Sequence, residues 1–186
     1  VRKAEKTSLN PFIAMADLEI DYRYVEPPIL KRTNTGSKFQ NGDTLLARIT
    51  PSLENGKTAY VESLEDNQVG VGSTEFIVLS GKPNVTTNLF VYYIARTPMF
   101  RNTAIQFMTG TSGRQRVQES VFDNFKIQIP NICIQSRIVD ILGKFDDKIK
   151  LLKESNIVLE KIIESYFKSW FITFDEYKEF DDSKIG

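Results

Sequence analysis

ICIQSRIVDILGKFDDKIKLLKESNIVLEKIIESYFKSW, residues 132–170, is the stretch that decides the architecture. No proline interrupts it, and Gly143 is its one glycine. Ile138, Leu142, Phe145, Ile149, Leu152, Asn156, Leu159, Ile163, Tyr166 and Trp170 recur at alternating four- and three-residue steps, a heptad pattern. The pattern predicts one helix over 132–170, about 58 Å long at a rise of 1.5 Å per residue. Such a length, with a continuous apolar seam, exceeds what a small domain needs to cover its own core. A partner helix is therefore expected, with a core helix of the same domain as the competing reading. Asn156 is the strongly polar member of the seam. A buried polar residue at one such position fixes register and partner number at a cost in stability.

The texture upstream of Pro130 is different. Thr44–Thr50 (TLLARIT) alternates Leu45, Ala47 and Ile49 against Thr44, Arg48 and Thr50, which predicts a half-buried strand. Glu75–Leu79 (EFIVL) is a short strand-type run. Thr87 is placed to cap a helix over Asn88–Ala95. Thr97-Pro98 is a second cap with proline at the first helical position. The fold class expected is α+β: a compact mixed α/β domain over 1–131, a single long coiled-coil-type helix over 132–170, and an acidic, aromatic tail over 171–186.

Composition excludes several chemistries. The 186 residues include no histidine, which removes Ser-His-Asp and Cys-His catalysis and His-based metal sites. The single cysteine, Cys133, can form neither an internal disulfide nor a Cys-cluster zinc site, and a reducing, cytoplasmic setting is expected. Flanked by Ile132 and Ile134, it is expected to be a small buried hydrophobe. No apolar run approaches the roughly 20 residues of a membrane helix. A start on Val1 rather than Met is expected of a trimmed chain.

Lys plus Arg and Asp plus Glu balance at 24 each, but unevenly along the chain. Lys31–Lys57 holds Lys31, Arg32, Lys38, Arg48 and Lys57 against Asp43 and Glu54, and Arg96–Arg116 holds four arginines and no acid. Local basic stretches on a neutral chain suit a selective polyanion reader or a plain solvated surface.

Two segments concentrate polar recognition chemistry. In Thr109–Arg116 (TGTSGRQR), Ser112 and Gln115 form a capping-box pair, which predicts a helix from about Gly113 to Phe122 with Arg114 and Arg116 in its first turn. Arginines at the positive end of a helix dipole suit a bound anion. In Gly42–Lys57, Arg48 on the polar strand face is followed by Thr50, Ser52, Asn55 and Lys57, side-chain types that contact bases and phosphates. Gly70–Glu75 (GVGSTE) lacks the third glycine of a dinucleotide fingerprint. Asp146-Asp147-Lys148 and Glu176-Tyr177-Lys178 match an acid-x-Lys nuclease fragment, but neither has a companion acid, and both are expected to be surface charges. No catalytic or metal-ligating residue is assigned.

The runs GDTLLARITPSLENGKTAYV (42–61), GVGSTEFIVL (70–79), GTSGRQRV (110–117) and the IQIP step (127–130) into a helix carrying Gln135, Arg137 and Ile138 resemble the specificity subunit of type I restriction–modification systems. FDDKIKLL (145–152) and FKSWFITF (167–174) resemble the same family. The resemblance implies a target recognition domain that reads one half of a bipartite sequence on double-stranded DNA, followed by a spacer helix. It implies a non-catalytic, cytoplasmic subunit without a cofactor of its own. Its implied partners are adenine-methylating modification subunits, restriction subunits reached through the complex, and a second spacer helix. That second helix would come from a longer chain of which this is half, or from a second copy. The DNA-binding set expected is Arg48, Thr50, Ser52, Asn55, Lys57, Ser73, Thr74, Thr109, Ser112, Arg114, Gln115 and Arg116, with the ten seam residues pairing the helices. A coiled-coil assembly protein without DNA contact, and a nuclease with an acid-x-Lys centre, are the alternatives.

Overall fold

The computed structural model describes residue 4 and residues 8–174. The tail acids and Glu176-Tyr177-Lys178 lie outside the described residues.

Among the described residues, seven strands form two sheets. Strands β1 (Asn10–Ile13), β2 (Ile29–Lys31), β3 (Ser37–Phe39) and β6 (Gly70–Gly72) make one sheet in the order β2-β1-β6-β3. Its β1–β6 pair is parallel, and its two outer pairs are antiparallel. Strands β4 (Thr44–Ala47), β5 (Thr58–Tyr60) and β7 (Phe76–Leu79) make an antiparallel sheet with β4 in the centre.

The central position of β4 overturns the half-buried reading of TLLARIT. Thr44, Leu45, Leu46 and Ala47 are all buried. Leu45 enters one core with Ile13, Phe39, Ala59 and Phe76, while Leu46 enters a second with Leu53, Ile77, Phe100 and Val117. A strand covered on both faces has no solvent side, so its sequence need not alternate.

Helix α1 (Asn88–Arg96) lies against β4 and β5, and α2 (Pro98–Gln106) follows directly. Both starts agree with the sequence. The Thr87 hydroxyl accepts the Phe90 N–H at 3.3 Å. The Thr97 hydroxyl accepts the Phe100 N–H at 3.3 Å and donates to the Ile94 carbonyl at 2.7 Å, so one residue closes α1 and opens α2 at Pro98. Phe100 stacks on Phe122 at 4.8 Å and meets Phe125 edge-on, closing the second core.

No helix starts at Gly113. Thr109 and Arg116 instead pair as a tight hairpin, N–H to carbonyl in both directions at 2.9 and 2.8 Å. Gly110 (φ 124°) and Gly113 (φ 76°) take the positive φ values that such a turn requires. With these backbone groups bonded across the turn, Ser112 has no helix end to cap. The helical stretch that does follow is a 3-10 segment at Glu119–Asn124.

Helix α3 runs over Ile132–Phe167 and continues as a wider π-helical turn over Lys168–Thr173. The regular helix thus stops three residues short of Trp170, at about 54 Å. Asn131 caps its start, its side-chain oxygen accepting the Ile134 N–H at 3.0 Å. The chain divides into two compact units, one ending at Gly143 and one beginning at Lys144. Within the first unit, α3 buries Gln135 and Gly143. Gln135 is wholly buried and donates to the carbonyls of Val85 and Pro130 at 2.9 and 2.8 Å, while its oxygen accepts the Thr87 N–H at 3.1 Å.

Two helix expectations change. Cys133 is exposed, because it lies about 200° around the helix from Gln135 and so faces away from the covered stripe. Asp146 is buried rather than a surface charge, whereas Asp147 is exposed. Along the second unit, Phe145, Ile149, Leu152, Asn156, Leu159, Ile163, Tyr166 and Trp170 are all exposed. Among the described residues no helix is long and apolar enough to cross a membrane.

Candidate nucleic-acid interface

One end of the three-stranded sheet gathers most of the polar segments singled out in the sequence. Arg48 leaves β4 with its N–H on the Glu75 carbonyl, just ahead of β7, at 3.0 Å. Its own carbonyl accepts the Val117 N–H at 3.0 Å, and two residues later the Thr50 N–H meets the Gln115 carbonyl at 3.0 Å. Ile49 and Arg116 form the antiparallel bridge between them. Residues 48–50, 73–75 and 109–117, far apart in sequence, are thereby stitched into one corner.

The three arginines there stand in three different states. Arg48 is turned inward: its Nε–H donates to the Val117 carbonyl at 3.0 Å and a terminal N–H to the Gln118 side-chain oxygen at 2.9 Å, with Glu119 at 4.0 Å. Its side chain is 17% exposed. Arg116 is paired with Glu75: its Nε–H reaches both carboxylate oxygens at 2.9 Å, and a terminal N–H reaches one at 2.8 Å. These hydrogen bonds hold the Glu75 carboxyl below the usual carboxylate range against the opposing effect of burial, and the Arg116 and Arg48 charges add to the shift. Arg114, at the hairpin tip, is exposed. Its guanidinium makes no hydrogen bond or ion pair among the described residues.

The remaining candidates divide. Thr109 and Ser112 on the hairpin and Thr74 beside it are exposed, and Gln115 is half-buried. The Ser73 hydroxyl accepts the Glu75 N–H at 3.2 Å, and the Thr50 hydroxyl donates to Glu54 at 3.3 Å. Ser52 is half-buried and Asn55 exposed in the turn after β4. Lys57 stands on the β5 side of β4, and its ammonium donates to the Met15 carbonyl at 3.0 Å, so it serves the fold.

Sequence reading missed the acids. The stretch Arg96–Arg116 contains none, yet Arg101 and Arg96 both reach Asp21, at 2.8 and 3.9 Å, and Arg116 reaches Glu75. Of the four arginines in that stretch, three reach acids distant in sequence, Arg96 and Arg101 sharing the single charge of Asp21. Glu75 ends the GVGSTE motif, but nothing local marks it as the partner of a residue 41 positions away. Among the described residues no three His, Cys, Asp or Glu side chains gather as a metal site.

Residues 11–161 match the family model described as type I restriction modification DNA specificity domain. The chain belongs to this family. Among its relatives, the EcoEI type I restriction enzyme specificity subunit of Escherichia coli is 31% identical over 160 residues, covering 76% of this chain and 26% of the relative. The HindI specificity subunit of Haemophilus influenzae is 31% identical over 142 residues, covering 74% of this chain and 29% of its own length. The chain thus spans about a quarter of the length of these curated relatives. The crystal structure of the HsdS subunit from Thermoanaerobacter tengcongensis superposes with a TM-score of 0.62 over 88% of this chain and 42% of that one, at 19% identity. That likeness supports the α+β fold with its long helix. The specificity-domain family match also agrees with the resemblance seen in the sequence.

Proposed function

We propose that this specificity-domain chain reads one half of a bipartite DNA target and does no bond-making or bond-breaking itself. The observation that carries the reading is the corner where residues 48–50, 73–75 and 109–117 meet around the exposed Arg114. An exposed hairpin with one free guanidinium, exposed hydroxyls and a half-buried amide supplies both phosphate and base-edge chemistry. Arg114, Gln115, Thr109, Ser112 and Thr74 are the residues proposed to face DNA. Arg48 supports them from within the fold.

The globular part to about residue 131 is the proposed recognition domain, and the helix beyond it is the proposed spacer. Its exposed seam favours a second helix, supplied by a longer chain or by a second copy of this one. In the cell the chain would act in the cytoplasm with adenine-methylating modification subunits, and through them with restriction subunits. The exposed seam also fits a coiled-coil assembly module without DNA contact.

Gel shifts against random and cognate duplexes across a salt series separate the two readings. A DNA reader gives association that falls linearly in log salt and a preference for the cognate site. An assembly module gives no salt-sensitive association, and that result would remove the proposal. Cleavage of plasmid DNA by the pure chain with Mg²⁺ would likewise overturn the non-catalytic assignment.

A further inference from the structure

The Glu75–Arg116 pair poses a question that the fold does not answer. The hairpin is already held by the paired Thr109 and Arg116 backbone, by the Thr50–Gln115 bond and by the Arg48–Val117 bond. The ion pair is partly solvated, with side chains 24% and 41% exposed for Glu75 and Arg116, and exposed pairs add little stability. Yet its geometry is bidentate. Glu75 accepts from Nε and one terminal nitrogen of Arg116, and the other terminal nitrogen donates to the Arg114 carbonyl at 3.3 Å. The edge of the guanidinium formed by Nε and one terminal nitrogen is thus taken by Glu75, beside the free Arg114.

We infer that Glu75 is a specificity determinant: it pairs the Arg116 charge through one bidentate edge of the guanidinium and so withholds that charge from DNA phosphates, leaving Arg114 as the corner's free cation. The inference rests on the DNA-reading proposal above. Non-specific affinity scales with the number of unneutralised cations that can displace counterions from phosphates, whereas specificity is the ratio of cognate to non-cognate binding. An internal carboxylate competes with phosphate for the same bidentate geometry. It therefore lowers the non-specific affinity and raises the ratio, without touching a base.

Glu75→Gln in the full 186-residue chain tests this, with a random-sequence duplex titrated across a salt series. The slope of log affinity against log salt is expected to steepen by about 0.9, one more phosphate neutralised. Non-cognate affinity at 0.1 M salt should rise by up to about eightfold, the gain that one such contact yields relative to 1 M. The double variant Glu75→Gln with Arg116→Gln should return both readings to the parent level or below. A merely structural pair would move the melting temperature but not the slope. An unchanged or shallower slope in Glu75→Gln, or a gain that survives loss of Arg116, overturns the inference. So does collapse of its thermal unfolding transition, because the pair would then be a folding requirement. The parent chain serves as a separate control. If it shows no salt-sensitive binding, the DNA-reading proposal falls on its own; Glu75→Gln gaining such binding from that baseline would still support the inference, and no binding by either overturns both.

Discussion

Arg48 and Val117 hold each other twice. The Val117 N–H donates to the Arg48 carbonyl and the Arg48 Nε–H donates to the Val117 carbonyl, each at 3.0 Å. Backbone and side chain of one residue thus clamp both polar groups of another, 69 positions away. Val117 is wholly buried in the second core, so the clamp fixes the base of the hairpin that carries Arg114.

Arg48→Ala is therefore expected to act first on stability. The two side-chain bonds it would lose, to the Val117 carbonyl and to Gln118, each have a charged donor, a class that contributes about 1.5–3 kcal/mol. Thermal unfolding should shift down, and DNA affinity should fall as a consequence. An unchanged melting temperature with lost binding would return Arg48 to the role of a direct DNA contact.

Arg114→Ala should do the opposite. The side chain is exposed and unpaired among the described residues, so the melting temperature should hold. Cognate binding should weaken by about 1–3 kcal/mol if the guanidinium meets a base edge, whereas a phosphate contact would instead flatten the salt slope by about one for all sequences. Unaltered cognate affinity and salt slope would remove Arg114 from the interface.

Gln135 supports a test of the helix anchor. Gln135→Ala leaves the part-buried N–H of Thr87 without its acceptor and two carbonyls without their donor, and should cost about 2 kcal/mol. Gln135→Glu, although nearly isosteric, should be worse, since a carboxylate would face the carbonyl oxygens of Val85 and Pro130. Chemical denaturation of both variants measures the order.

The Glu75 carboxyl has a definite pH signature. Its pKa in the fold is depressed first by the Arg116 hydrogen bonds, with the Arg116 and Arg48 charges acting in the same direction. A carboxylate depressed in the folded state stabilises the fold above its unfolded pKa, and the contribution is lost as pH falls through the folded one. In a carbon-detected NMR titration the Glu75 midpoint should lie below that of Arg116→Gln. The small stability difference between the parent and Glu75→Gln should vanish on acidification. Coincident midpoints would show that the pair does not form in solution.

Leu152→Glu or Ile163→Glu should weaken any self-association read by sedimentation, because both residues are exposed on the seam. Asn156→Leu should strengthen or scramble it, since a polar seam residue sets register at a cost in stability. Oligomeric state and stability indifferent to all three would mean that the seam pairs with nothing in this chain.

Much of the scaffold was legible in the linear pattern. The heptad over 138–170, the caps at Thr87 and Thr97, and β7 each depend on residues within a few positions of one another. The candidate site was legible as segments but not as chemistry. Arg48, Arg114 and Arg116 looked alike in sequence, yet one is a structural clamp, one is free and one is neutralised.

Periodicity and capping are local, so they alone foretell a compact mixed domain leading into a long helix with an apolar seam. Contacts between distant segments settle that Thr109–Arg116 is a hairpin rather than a helix start, that β4 is buried on both faces, and that three of the four arginines meet Asp21 or Glu75. Those outcomes depend on which distant backbone and charge come to lie alongside. Coulomb and hydrogen-bond energies depend on separation in space, and spacing along the chain does not encode it.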